Sequence, residues 1–144
     1  ANAVLLLLEI EKTVAEGAAA VTLAALVNRK VRCEGKTVGI IVSGGNIDMN
    51  LIARIIERGL IQDGRVMRLP VVISDLPGTL AALTGRVADL GANILQIGQL
   101  RGFGELAIGE TEVQLMLETT GTDHIREILE TLSAEHLRVN PEGR

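Results

Sequence analysis

Ser43, Gly44, Gly45 and Asn46 end an apolar run and open a helical pattern. In open α/β sheets, ligands bind at that kind of junction, the carboxyl end of a strand. The Ser43 hydroxyl offers one donor and two acceptor lone pairs, and the two glycines let another group approach the backbone. The Gly-Lys-Ser/Thr ending of a phosphate loop is absent. The plainer reading is a strand-to-helix turn with Asn46 or Asp48 as its N-cap, and spacing alone favours it.

A second cluster comprises Asp75, Leu76, Pro77, Gly78, Thr79 and Leu80. Pro77 and Gly78 set a tight turn, and the free N–H groups of the helix that follows attract a carboxylate. An amino-acid ligand could place its carboxylate there and its ammonium on Asp75. The alternative is a turn in which Asp75 caps the helix. Glu16 opens an alanine-rich stretch; it reads either as a carboxylate bordering a site or as an acidic helix start suited to the dipole. Lys12, Lys30 and Lys36 are the only lysines, and none has the setting of a Schiff-base lysine. Thr22, Ser43, Ser74, Thr79 and Ser133 supply hydroxyls with no local base, so no nucleophilic triad and no catalytic residue is assigned.

Composition narrows the partners. The 144 residues carry a formal charge of -4. Residues 1–64 hold seven acidic and seven basic residues, and residues 65–144 hold eleven and seven, so the second part carries all of the excess. With one aromatic residue and no basic stripe, nucleic acid is not an expected partner. Cys33 is the single cysteine, which excludes an intrachain disulfide and fits a cytoplasmic protein. His124 and His136 have no cysteine beside them and read as packing or surface residues, so no metal site is expected. The leucine run at 5–8 and the apolar stretch 17–27 fall short of the roughly 20 residues that span a bilayer, so no membrane association is expected.

The elements that must position these residues follow from periodicity. Residues 3–8 are apolar all round, the pattern of a buried helix. Residues 17–29 predict an alanine-rich helix, 37–43 a strand covered on both faces, and 48–60 an amphipathic helix with Leu51, Ile52, Ile55 and Ile56 on one side. Gln62, Asp63 and Gly64 form the best linker, giving parts 1–64 and 65–144. After it the order is strand (66–74), helix (79–90), strand (93–100), a glycine-containing connection (101–109), strand (111–119), helix (123–132) and strand (136–139). Val113, Leu115 and Leu117 point inward, and Met116 is the one apolar residue on the outward parity. This βαββαβ order is ferredoxin-like, an α+β fold with two helices on one sheet face. A single strand before residue 64 cannot satisfy its own backbone, so the first part reads as a piece of a larger α/β domain.

With these residues in place, the chain resembles the C-terminal part of a pyridoxal-phosphate-dependent threonine dehydratase (threonine ammonia-lyase) that ends in an ACT regulatory domain. The segments that carry the resemblance are VAEGAAAVTLAAL (14–26), GKTVGIIVSGGNIDMNLIARIIERGL (35–60), VVISDLPGTLAAL (71–83) and GANILQI (91–97). SGGNID followed by a helix and then ISDLPG is the specific combination. The resemblance implies that residues 1–64 come from the PLP-binding, tryptophan-synthase-β-like catalytic domain and 65–144 form the ACT domain. It implies that Ser43 faces the cofactor's pyridine nitrogen, that Gly44, Gly45 and Asn46 line the same site, and that Glu16 borders it. EGAAA stands where relatives often have EGAGA, so Ala19 replaces a usual glycine.

The family's Schiff-base lysine and phosphate-gripping loop are implied to lie upstream of residue 1, so the chain by itself should be inactive and hold PLP weakly if at all. ACT domains pair and bind small amino acids at their interface. By similarity the effector residues are Asp75 to Leu80 together with Asn93 and Ile94, with isoleucine, valine or threonine as the effector and a homodimer or higher oligomer as the assembly. Gln99 stands where relatives often carry histidine. Two other functions compete: an oligomerisation module that binds no ligand, and a piece that completes a PLP lyase in trans.

Overall fold

The computed structural model describes residues 1–101 and 106–139. The chain forms two compact units, Ala1–Leu60 and Ile61–Arg144.

The first unit holds α1 (Asn2–Glu9), α2 (Val21–Val27) and most of α3 (Met49–Gln62). Its core consists of Ala3, Val4, Leu7, Ala15, Ala19 and Ala20, with Val42, Ile47 and Ile55 packed against it. Small residues dominate, so the backbone segments approach closely and little apolar area is removed from water. The alanine-rich helix is shorter than its periodicity predicts. Residues 17–20 form a turn, with the Ala20 N–H on Glu16 O at 3.1 Å. At the other end Arg29 adopts φ 52, and Lys30 N–H reaches Ala25 O at 2.8 Å, which closes the helix in a Schellman-type cap. Asp48 caps α3: its Oδ1 accepts from Asn50 N–H at 2.8 Å and Leu51 N–H at 3.3 Å.

The covered strand expected at 37–43 does not form. Those residues carry no strand pairing, and Ile41 is 83% exposed. A continuous apolar run becomes a strand only when neighbours accept its hydrogen bonds, and the described residues of this unit provide none.

The second unit is the ferredoxin-like α+β fold of an ACT-type domain. It comprises β1 (Val66–Ser74), α4 (Thr79–Asp89), β2 (Asn93–Leu100), β3 (Glu110–Glu118), α5 (Thr122–Ala134) and β4 (Arg138–Val139). The sheet order is β2-β3-β1-β4, antiparallel throughout. Nine residue pairs join β1 to β3, from Val66↔Glu118 to Ser74↔Glu110. β4 pairs only with Val71 and Val72, so beyond them that side of β1 is an edge, where Pro70 is tolerated. The connection 101–109 lies partly outside the described residues.

One face of this sheet buries the alternating set: Leu69, Val71, Val113, Leu115 and Leu117 against Leu83, Val87, Ile128 and Leu132 of the helices. Two buried threonines are satisfied there. Thr111 Oγ1 donates to Leu100 O at 3.0 Å, and Thr119 Oγ1 donates to Gly64 O. Gly91 at φ 77 ends α4 as its sequence predicts. His124 ties the helices to the loops: its Nδ1 accepts from Thr120 N–H at 3.1 Å, which leaves Nε2–H to donate to Leu90 O at 2.7 Å. His124 is therefore the packing residue its context predicts.

Candidate functional site

The first site is the 43–46 turn. Gly44 takes φ 96, a conformation in which a side chain is strained. Its open side is filled by Glu16. A Cβ on Gly44 would stand 2.7 Å from Glu16 Oε1 and 3.0 Å from Glu16 Cδ. Glu16 N–H also donates to Gly44 O at 3.2 Å, and a Cβ on Gly45 would stand 3.2 Å from Val14 O. The group that these glycines admit is thus the 14–16 segment itself. Two motifs separated by 28 residues are brought side by side, and Glu16 borders the turn.

Ser43, Gly44, Gly45 and Asn46 are all exposed. Lys12, Lys30 and Lys36 are exposed too, and Lys12 Nζ is bonded to Glu9 O at 2.6 Å. The turn and the 14–16 segment together present a hydroxyl, two glycines and a carboxylate.

The second site is the 75–80 turn. Gly78 takes φ 92 and caps α4 without a side-chain hydrogen bond. Thr79 Oγ1 lies 2.7 Å from both Ser74 O and Leu76 O, which fixes the turn. Asp75 does not cap the helix. Its carboxylate is held in a fork by Arg101, with Nε to Oδ2 at 3.0 Å and Nη2 to Oδ1 at 3.0 Å. Asp75 N–H donates to Gly109 O at 2.8 Å. Leu76 is 65% exposed at the tip.

Arg101 is the residue that the sequence reading did not single out. The signal was available: β1 and β2 both run antiparallel to β3, so their carboxyl ends lie together, and Arg101 follows β2 directly.

The same topology separates Asn93 and Ile94 from the turn. Asn93 aligns with Glu118 and, through it, with Val66, at the far end of the sheet. Eight residue steps along β1 separate that row from Ser74, roughly 26 Å at about 3.3 Å per residue. Asn93 Nδ2 instead donates to Glu118 Oε2 at 3.1 Å. Within one protomer the candidate effector residues form two groups, and one small ligand cannot touch both.

Comparison with known proteins places the chain. It is 46% identical over 143 residues, 99% of its length, to an L-threonine ammonia-lyase of Thermotoga maritima. It is 48% identical over 133 residues, 92% of its length, to an L-threonine ammonia-lyase of Geobacter sulfurreducens. Over this length the chain is a homologue of the threonine ammonia-lyases. It spans about a third of these relatives, 35% and 33% of their lengths. No family model matches the chain. Both family-like motifs, the 43–46 turn beside Glu16 and the 75–80 turn, lie inside the region of similarity to the Thermotoga protein. Among the described residues, no helix is long and apolar enough to cross a membrane.

Proposed function

We propose that this chain is the amino-acid-sensing part of a threonine dehydratase, an enzyme that deaminates threonine to 2-oxobutanoate and ammonia with PLP. Residues 65–144 are the regulatory ACT domain in this reading. Residues 1–64 belong to the catalytic domain, where Ser43, Gly44, Gly45, Asn46 and Glu16 form one side of the cofactor site. The similarity to threonine ammonia-lyases across nearly the whole chain carries the reading.

The effector is isoleucine, valine or threonine, bound between two copies. The split site supports a pair. β2 is an edge strand whose Leu95, Ile97 and Leu100 are 50%, 43% and 39% exposed. If two β2 strands met antiparallel across a two-fold axis, Asn93 and Ile94 of one copy would stand beside Leu100 and Arg101 of the other. Each ligand site would then join the 75–80 turn of one copy to Asn93 and Ile94 of the second. Apolar side chains on an unpaired edge favour such an addition. The protein in this reading works in the cytoplasm.

Calorimetric titration of the chain with isoleucine, valine, threonine and serine, alongside sedimentation, tests the proposal. One of the first three should bind saturably to a dimer or larger species, and at about 100 times its dissociation constant it should stabilise the fold by roughly 2.7 kcal/mol. A folded chain that binds none of the four would sink the sensing role and leave an oligomerisation module.

A further inference from the structure

The helices cover one face of the ferredoxin-like sheet, and Arg68, Gln96 and Gln114 are exposed on the other. The strand register sets that open face out in rows. Arg68, Met116 and Gln96 form one row, Pro70, Gln114 and Gly98 the next, and Val72, Glu112 and Leu100 the third. The middle row is low, because Gly98 has no side chain. A hollow of about 170 Å³ opens there, bordered by Arg68, Pro70, Gln96, Gln114 and Met116. Half-buried Met116 and Val72, with Leu100 at 39% exposure, make the face partly apolar.

Four arginines of this unit find their partners within the copy. Arg86 pairs with Glu135 and Asp89, Arg101 with Asp75, Arg126 with Asp123, and Arg138 with Glu110. Arg68 and Glu112 differ: among the described residues neither stands in an ion pair. Gln114 Nε2 donates to Glu112 Oε1 at 3.1 Å, which orients the carboxylate without neutralising it. Arg68 and Glu112 lie in the two rows that flank the Gln114 row, at equal steps from it. A cation and an anion so placed are self-complementary about a two-fold axis along the middle row.

We propose that this face stacks on the same face of a second copy, about an axis that crosses the strands along the Pro70–Gln114–Gly98 row. Each Arg68 then stands over Val72 of the second copy, one strand from that copy's Glu112. Adjacent strands are about 4.8 Å apart, within the reach of an arginine, so the contact makes two Arg68–Glu112 ion pairs. Met116, Val72 and Leu100 supply apolar contact, and the two Gln114 side chains meet on the axis beside the hollows at Gly98. Three full strands present roughly 400 Å² of face, at about 4.8 Å per strand and 3.3 Å per residue. A stable contact takes about 800 Å² from each partner, so one sheet alone is too small. The β2 pairing proposed above doubles the face. It centres near Ile97, one residue from Gly98, with its axis normal to the sheet. The two axes therefore cross close together, and two β2-joined pairs close into a tetramer with D2 symmetry. The stacking rests on that pairing for its extent and on Arg68 and Glu112 for its specificity.

Sedimentation of the 144-residue chain at micromolar concentrations tests this, with circular dichroism to check the fold of each variant. The parent should be a tetramer that dissociates to dimers. Arg68→Glu and Glu112→Arg should each raise that dissociation constant at least tenfold. The double variant Arg68→Glu, Glu112→Arg should return it to within threefold of the parent. Loss and rescue by charge reversal also separate this contact from association through the apolar surface of the first unit, which the swap does not touch. A dimeric parent, or a tetramer indifferent to both single reversals, would overturn the stacking and leave the β2 pair standing. A double variant as weak as the single ones would overturn it too. A monomeric parent would end both contacts.

Discussion

The first unit is the richer in apolar residues, 33 of 60 against 35 of 84 in the second, yet it buries them less well. In the ferredoxin-like unit, leucine, isoleucine and valine side chains reach 0–1% exposure at Leu69, Val71, Val87, Val113, Leu115, Leu117, Ile128 and Leu132. In the first unit only Ala15 is that well covered, α2 buries none of its residues, and Ile10, Val21, Ile41 and Met49 are 61–83% exposed. A sheet that pairs its own strands closes a core. A helical body without a paired sheet leaves apolar surface, and surface of that kind marks contact with another body. The relatives' greater length is the natural source of that contact in the proposed catalytic domain.

The sharpest break of this comparison is a truncation in each unit. Leu115→Ala removes a side chain packed between strands and helices and should cost about 2–5 kcal/mol. Ile41→Ala removes an exposed side chain and should change stability by no more than about 0.5 kcal/mol. Denaturant unfolding of the two variants measures both. An Ile41→Ala loss as large as that of Leu115→Ala would show that the first unit buries this residue in solution.

The same contrast explains what could be read in the sequence. Residues 111–119 alternate, and alternation with two flanking helical stripes leaves one arrangement that buries Val113, Leu115 and Leu117 together; the sheet and its inward face were legible. The run at 37–43 has an equally strong apolar pattern, but the pattern reports a preference for burial and not the presence of a neighbour. Glu16 and Gly44 were legible as a pair only through the family resemblance, because 28 residues separate them and no local period connects them. Asn93 and Ile94 came from the same resemblance, and topology sets them at the opposite end of the sheet from Asp75. The Arg101 fork on Asp75 follows from the strand ends that the βαββαβ order brings together, whereas the Arg86 bridge to Glu135 depends on which helix ends meet, which composition and spacing do not encode.

Two glycines sharpen the comparison at smaller scale. Gly64 in the second unit takes φ 67, and an added Cβ would stand 2.8 Å from Thr122 N and 3.1 Å from Gly121 C. Backbone atoms cannot rotate away, so Gly64→Ala should cost about 2–3 kcal/mol. Gly59 in α3 would meet Leu5 Cδ2 at 2.0 Å, a closer approach on paper. That atom ends a rotatable side chain, and alanine gains about 1 kcal/mol of helix propensity over glycine. Gly59→Ala should therefore lie within about 1 kcal/mol of the parent. Thermal unfolding of the two variants decides, and the reverse order would mean that Leu5 is locked by its surroundings.

The smallest expected effect concerns the charges that join elements of the second unit. Glu110 and Glu135 have carboxyls depressed in the fold by their N–H and guanidinium partners, and Arg86 is raised by Glu135. A depressed carboxyl contributes stability that is present above its unfolded value, about 4.3 for glutamate. The contribution is lost as pH falls through the lower folded value. Both pairs are solvent-facing, so salt screens them and the effect stays modest. Amide exchange or denaturant midpoints followed from pH 7 to pH 3 should show a downward step below the usual glutamate range. The step should shrink in a Glu110→Gln, Glu135→Gln double variant and in 1 M salt. Identical acid profiles for parent and double variant would mean that these pairs are not held in solution.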